Sequence, residues 1–338
     1  MIGIVSDPLF MKHDTGGYHP EDPLRIHYLH TLFAPDALRE PGIMLVEPVM
    51  ALKRDIELNH DSGYVEMVAR ASGMNRLVDL DPDTICSPDS YEVALYAAGS
   101  LIQLTEMALG GTISAGFACV RPPGHHAIRS DAMGFCLFNN IAIAARKARA
   151  SFGISRVIIV DFDVHHGNGT QESFYSSKDV LYFSSHQWPF YPGTGRLTEM
   201  GSGPGTGFTV NCPLRGGKTD GQFVALYQDI LVPIMETFKP ELVLVSAGFD
   251  AHGMDPIGGM QLSSRGFAAL AGIIHESARK IQAPVVYSLE GGYNYDALKD
   301  SVRHVVAVMR GGPAPKIDPV TWPELEEIRN AHSRHWPL

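Results

Sequence analysis

Apolar residues along this chain fall into short unbroken runs, each closed by polar or glycine-rich residues. The runs are Ile2–Val5, Ile113–Val120, Val157–Val160, Val180–Phe183, Leu242–Val245 and Pro284–Leu289. Short apolar runs rich in β-branched residues read as strands buried on both faces. Longer stretches with helical spacing lie between them. Pro88–Leu109 is the clearest: Ser87 is placed to cap it, Pro88 suits its first turn, and Gly110-Gly111 ends it. Thr219–Phe238 is a second helix, stopped by Lys239-Pro240, and Ser263–Ile281 and Tyr295–Met309 follow. Strands alternating with helices predict an α/β fold of three layers, a mainly parallel sheet covered by helices on both faces. No repeat and no linker interrupts the alternation, so residues 1–338 read as one catalytic-size domain.

Polar residues gather directly after the strands, at Arg121–Ala127, Asp161–Gly169, Ser184–His186, Asp250–Asp255 and Glu290–Asn294. A parallel sheet puts all its carboxyl ends on one edge, and open α/β sheets bind ligands there. These separated stretches are therefore expected to converge. If the chain stays extended past Val160, Asp161, Asp163 and His165 share one face. Asp163 and His165 form the best pair of metal ligands, and Asp250 supplies a third from a neighbouring strand end. Two carboxylates and one imidazole leave a position open, the pattern of a catalytic rather than a structural metal. Zinc leads, and iron(II) is also compatible with this donor set.

Two further groups fit a metallohydrolase. His125 and His126 follow Pro122, Pro123 and Gly124, which are placed to hold the backbone so that both rings point inward. Histidine has the pKa that a base for water requires. Asp161 and Asn168 can each accept a ring N–H and fix a tautomer. Tyr293 follows Gly291-Gly292, and a phenol facing the metal would stabilise an oxyanion. Other signals carry no chemistry. Gly201–Gly207 imitates a dinucleotide loop but contains Pro204 and opens no helix. Ser184, Ser185 and Ser246 lack a nucleophile elbow, and Glu324–Glu327 reads as a solvated helix face.

The formal net charge of −10 argues against a nucleic-acid partner and suits a cationic or neutral ligand. The four cysteines (Cys86, Cys119, Cys136 and Cys212) show no Cys-x-x-Cys spacing, which predicts reduced thiols and a cytoplasmic protein. Cys136, although near the chemistry, reads as a packed residue. No stretch approaches the roughly 20 apolar residues of a membrane span, and Met1–Ser6 reads as a first strand, not a signal peptide.

Taken together, Arg121–Ala127, Gly134–Asn140, Asp161–Thr170, Tyr191–Gly195, Ser246–Pro256 and Glu290–Asn294 resemble the zinc-dependent histone deacetylase superfamily, which includes bacterial histone-deacetylase-like amidohydrolases and acetylpolyamine amidohydrolases. The likeness runs from about Ser6 to Met309, and Asn168 with the Glu290-Gly-Gly-Tyr form is closer to the class II branch. It implies the arginase–deacetylase fold, with a sheet of about eight strands between helical layers. It implies zinc on Asp163, His165 and Asp250, and a histidine dyad of His125 and His126 backed by Asp161 and Asn168. Tyr293 matches the tyrosine that polarises the acyl carbonyl. Gly134 and Phe135 match one wall of an acyl-lysine tunnel, and Tyr191 stands where the opposing aromatic is usually Phe. Ile257 is apolar where a polyamine-selective branch carries an acidic gatekeeper. Arg25 matches an arginine of an internal acetate cavity. A structural potassium is implied near Asp161, Asp163, His165, Ser184 and Ser185, mostly through carbonyls.

The expected reaction is hydrolysis of an acyl amide on a long primary-amine chain, with His126 as base and His125 acting electrostatically. Acetyl-lysine in proteins or peptides is the leading substrate. Acetylpolyamines are the alternative, with Asp81 and Asp83 as candidate rim carboxylates. A non-catalytic acyl-amine binder is a third reading. A ureohydrolase would need two metals and more Asp ligands. A homo-oligomer is compatible with the sequence.

Overall fold

Eight strands, all parallel, make one sheet in the computed structural model, which describes residues 1–33 and 42–338. In chain order they are β1 (Ile2–Ser6), β2 (Ile43–Leu45), β5 (Ala115–Cys119), β6 (Val157–Asp161), β7 (Val180–Gln187), β8 (Thr209–Leu214), β9 (Leu242–Ala247) and β10 (Val285–Leu289). A separate hairpin pairs β3 (Val78–Asp81) with β4 (Thr84–Cys86). The order across the sheet is β2-β1-β5-β10-β9-β6-β7-β8.

That order explains the layers. From β1 through β5, β6 and β7 to β8 the chain moves one way across the sheet, and from β8 to β9 and β10 it returns. Parallel crossovers are right-handed, so reversing direction moves the helices to the other face. Ser90–Leu109 and Asn140–Phe152 therefore cover one face, while Ser264–Lys280 and Tyr295–Met309 cover the other. The returning strands slot between β5 and β6. Neighbours β5 and β10, and neighbours β9 and β6, thus have connections leaving to opposite sides, which opens a crevice at their carboxyl ends. β6 and β9 are buried along their whole length, as their continuous apolar runs require.

Several elements differ from the sequence expectation. β2 has only three residues, all at least partly exposed, and is not among the strands expected although Ile43 to Val46 are all apolar. β8 is broken by Asn211 and Pro213, and the proline is tolerated because β8 lies at the sheet edge. β7 continues to Gln187, so Ser184–His186 lie within the strand rather than after it. The helix expected from Pro88 begins at Ser90 after Asp89. Ser87 does not cap it, because its hydroxyl accepts the Asp14 N–H at 3.2 Å and meets the Ser90 hydroxyl at 2.8 Å. The stretch expected as one helix from Thr219 to Phe238 is α-helical at both ends with a π turn over Tyr227–Leu231. Pro233 lacks an N–H and crowds the carbonyl four residues back, which the wider turn relieves.

A buried ionic cluster lies beneath the β5–β10 end of the crevice. Glu21, Arg25 and Arg121 have fully buried side chains. Glu21 accepts from Arg25 Nη1 at 2.9 Å and from Arg121 Nη2 at 2.6 Å, and it also accepts from Arg121 Nε. Burial alone would raise the Glu21 pKa, but the Arg121 and Arg25 charges hold it down at about 2. Its folded pKa lies below the unfolded value, so the stabilisation is present at neutral pH and is lost as pH falls toward 2. Glu21→Gln strands two buried guanidinium groups and should cost about 3–5 kcal/mol in urea unfolding at neutral pH.

Candidate metal centre and its acid–base neighbours

The centre forms where β6 ends. Beyond Asp161 the backbone does not stay extended but bends through Asp163–His165, so the expected alternation is replaced by a stitched turn. His165 N–H donates to Asp163 Oδ1 at 2.8 Å, Val164 N–H to Asp250 Oδ1 at 2.8 Å, and Gly291 N–H to Asp163 Oδ2 at 2.8 Å. These bonds aim the remaining lone pairs at one point. His165 Nδ1 lies 3.0 Å from Asp163 Oδ1 and 3.1 Å from Asp250 Oδ2. One ligand atom from each residue falls within 4.8 Å of the others, and all three residues are buried. It is the one such cluster of three among the described residues. Burial and the Asp163 charge push Asp250 up to about 7. Two desolvated carboxylates repel each other unless a cation lies between them, so this donor set suits a divalent metal ion. Gly291 is required for the approach, since a Cβ there would stand 2.1 Å from Asp250 Oδ2.

The two histidines lie beside this cluster with ring centroids 4.0 Å apart. His125 Nδ1 is 3.1 Å from Asp161 Oδ2, which also accepts the Tyr182 hydroxyl at 3.0 Å. His126 Nδ1 is 2.8 Å from Asn168 Oδ1. Each Nδ1 is thereby engaged, and Nε2 is left for proton exchange. Burial opposes the charged form of both rings. For His125 the nearby Asp161 and Asp163 outweigh burial and raise the pKa to about 10. For His126 burial, with His125 and His165 adding positive charge, drives the pKa well below its usual value. One dyad member is thus cationic and the other neutral at pH 7. The loop carrying them is also held by a carboxylate. Glu290 Oε2 accepts the Gly124 N–H at 2.7 Å and the His125 N–H at 3.1 Å.

Tyr293 enters on the β10 side. Its N–H donates to Asp255 Oδ2 at 2.7 Å, and the Arg25 guanidinium lies 5.0 Å from its ring centre. Burial and the Asp250 charge raise its phenol well above the usual value, so it remains a protonated donor. Arg25 also donates to Gly292 O at 2.7 Å and Glu290 O at 2.5 Å, which ties the internal arginine to the turn that presents the tyrosine. Phe135 packs edge-on to Tyr293 at 5.9 Å and to His19 at 4.7 Å. Tyr191 packs edge-on to His126 at 5.2 Å. Gly134 has φ +56°, and a Cβ there would stand 2.3 Å from His126 Cδ2, so the wall presses directly on the imidazole. Ile257 is half-buried, with its N–H on Asp255 Oδ1 at 2.9 Å. Asp83 Oδ1 accepts the Gly134 N–H at 3.1 Å, while Asp81 Oδ1 accepts the Asp83 N–H at 2.9 Å. Ser184 pairs with Asp161 across the sheet and its hydroxyl meets His186 Nδ1 at 2.9 Å. The Ser185 hydroxyl meets that of Tyr227 at 3.0 Å.

Sequence reasoning passed over several residues here. Phe190 stacks on the His165 ring at 5.2 Å and 17°. Its adjacency to Tyr191 was the available signal. Glu290, Asp255 and Glu21 act through backbone amides or buried arginines, and spacing along the chain gives no sign of such contacts.

A model of the histone deacetylase domain matches residues 19–309. Histone deacetylase 10, chloroplastic, of Oryza sativa subsp. japonica is 40% identical over 271 residues, 77% of this chain and 61% of that protein. Histone deacetylase 5 of Arabidopsis thaliana is 35% identical over 99% of this chain and 54% of its own length. The chain therefore spans less than two thirds of these plant relatives. A probable deacetylase of Archaeoglobus fulgidus is 35% identical, with 99% of each chain covered. The crystal structure of the HDA15 HD domain superposes with a TM-score of 0.92 and 34% identity over 99% of this chain and 95% of that one. The sheet described above is accordingly the arginase–deacetylase fold. Domain match, archaeal relative and structural neighbour agree, and the chain belongs to the histone deacetylase family.

Proposed function

We propose that this protein is a zinc-dependent deacetylase that hydrolyses the acetyl amide of an N-ε-acetyl-lysine side chain in proteins or peptides, with residues 1–338 acting as a single catalytic domain. The observation that carries this reading is the convergence of Asp163, His165 and Asp250 within 4.8 Å, next to a neutral imidazole and a protonated phenol. Those three residues would hold the zinc. When bound, zinc lowers the pKa of water and polarises an acyl carbonyl. Iron(II) suits the same ligands.

The protein's own groups do the rest. His126, neutral and oriented by Asn168, takes a proton from the attacking water at Nε2 and returns one to the leaving amine. His125, held cationic by Asp161, contributes its charge. Tyr293 donates its hydroxyl to the oxygen that becomes negative. Gly134, Phe135 and Tyr191 confine the aliphatic chain, with Ile257 at the periphery, and Arg25 serves an internal acetate cavity. A structural potassium belongs near Asp161, Asp163, His165, Ser184 and Ser185, where β6 and β7 pair. Four free, buried cysteines suit a reducing compartment such as the cytoplasm, and no described helix is long and apolar enough to cross a membrane.

Acetylpolyamines are the second reading. It is favoured by the Asp83 carboxylate, which sits on the Gly134 backbone at the Phe135 wall and could meet a cationic chain. Zinc-replete protein should deacetylate an acetyl-lysine peptide with higher kcat/KM than acetylputrescine, and dipicolinate should abolish both activities. The reverse preference would move the assignment to polyamines, and activity unaffected by metal removal would end it. Tyr293→Phe should lower kcat about 100- to 1000-fold at similar KM. The acid limb of kcat/KM should fall below pH 6.5, the ordinary imidazole value, because His126 must be neutral and its pKa is lowered. A pH–rate profile whose acid limb has its midpoint above 6.5 would remove His126 from the role of base.

A further inference from the structure

The Glu290 side chain ends in a place that neither proton transfer nor metal binding explains. It is fully buried at the carboxyl end of β10, which lies in the sheet between β5 and β9. Its own backbone is fixed on both sides. The N–H donates to Ala247 O at 3.0 Å, and the carbonyl accepts from Arg25 Nη2 at 2.5 Å. The carboxylate then reaches toward both neighbouring strands. Oε2 accepts the consecutive N–H groups of Gly124 and His125, and Oε1 faces the Ser246 hydroxyl at 3.4 Å. Three adjacent strand ends therefore meet on one side chain: the histidine loop after β5, the strand leading to Asp250, and the turn leading to Tyr293.

We propose that Glu290 is a positioning residue that sets the distance between the histidine pair and Tyr293. This rests on the dyad and tyrosine roles given above. Glu290 lies three residues before Tyr293 and grips the backbone one residue before His126, so the base and the oxyanion donor are referenced to one rigid carboxylate. The two amides it accepts are consecutive, which fixes both the position and the tilt of the peptide plane from which His125 leaves. Loss of that grip leaves two buried donors unpaired, and the loop shifts to satisfy them. A displacement of about 1 Å at reacting groups can cost on the order of 100-fold in rate.

Reach and charge can be separated. Glu290→Gln keeps the length and an oxygen for both amides, and its NH2 can face Ser246. Glu290→Asp keeps the charge but is one methylene too short to bridge the two amides. On zinc-replete protein with an acetyl-lysine peptide, Glu290→Asp should lower kcat about 10- to 100-fold while KM stays within about threefold. Glu290→Gln should restore kcat to within about threefold of wild type. Zinc content near one per chain and unchanged thermal unfolding confirm that each variant is folded and loaded. His126→Ala serves as the control for the dyad itself: if it retains activity, the reading of the histidines is wrong and not only that of Glu290. An active Glu290→Asp, or an inactive but folded Glu290→Gln, overturns the proposal, and the second result would assign the effect of Glu290 to charge instead of reach.

Discussion

Two carboxylates forced together out of water are the constraint around which this molecule is arranged. Asp163 and Asp250 come from different strands, both are buried, and both point at the same imidazole nitrogen. Such an arrangement is unfavourable by itself, as the raised pKa of Asp250 records. It persists because three backbone amides on two segments (Val164 and His165 after β6, Gly291 after β10) hold the oxygens in place. The sheet supplies that rigidity, and the pocket has a standing demand for positive charge that a metal ion meets.

The surrounding residues answer the same electrostatic problem in opposite ways. His125 sits near Asp161 and Asp163 and is held cationic, while His126 rests on a neutral amide and is held neutral. Neighbouring imidazoles with 4.0 Å between ring centres thus acquire different protonation states: the carboxylates outweigh burial at His125, while burial and the charges of His125 and His165 prevail at His126. Tyr293 is kept protonated by burial and by the Asp250 charge.

Much of this was legible in the sequence, because strand ends announce themselves. Apolar runs located six of the eight sheet strands, and parallel alternation put the polar clusters on one edge. Individual residues such as Asp163, His165 and Asp250 could then be read from chemical type and position. Two edge strands escaped: β2, whose residues stay partly exposed at the sheet margin, and β8, whose run is broken by Asn211 and Pro213. The bend after Asp161 escaped because it is made by carboxylates accepting amides, one two residues away and others from segments distant in sequence, which periodicity does not register. Glu290 and Glu21 escaped for a related reason. Glu21 meets Arg121 across 100 residues and Glu290 meets Gly124 across 166, and only the fold brings those partners near.

The interleaved strand order has a consequence for how the molecule comes into being. β5 and β6 lead into the segments carrying His125, His126, Asp163 and His165, yet they are separated by a gap two strands wide that β9 and β10 must fill. As the chain leaves the ribosome, the first half can gather its helices but leaves a slot through the middle of its sheet. Closing that slot demands contacts between residues far apart in sequence, which are the slow ones to form. The last-made central strand is also the one that leads to Tyr293, so the side-chain cluster at the sheet edge is complete only once β10 is in place.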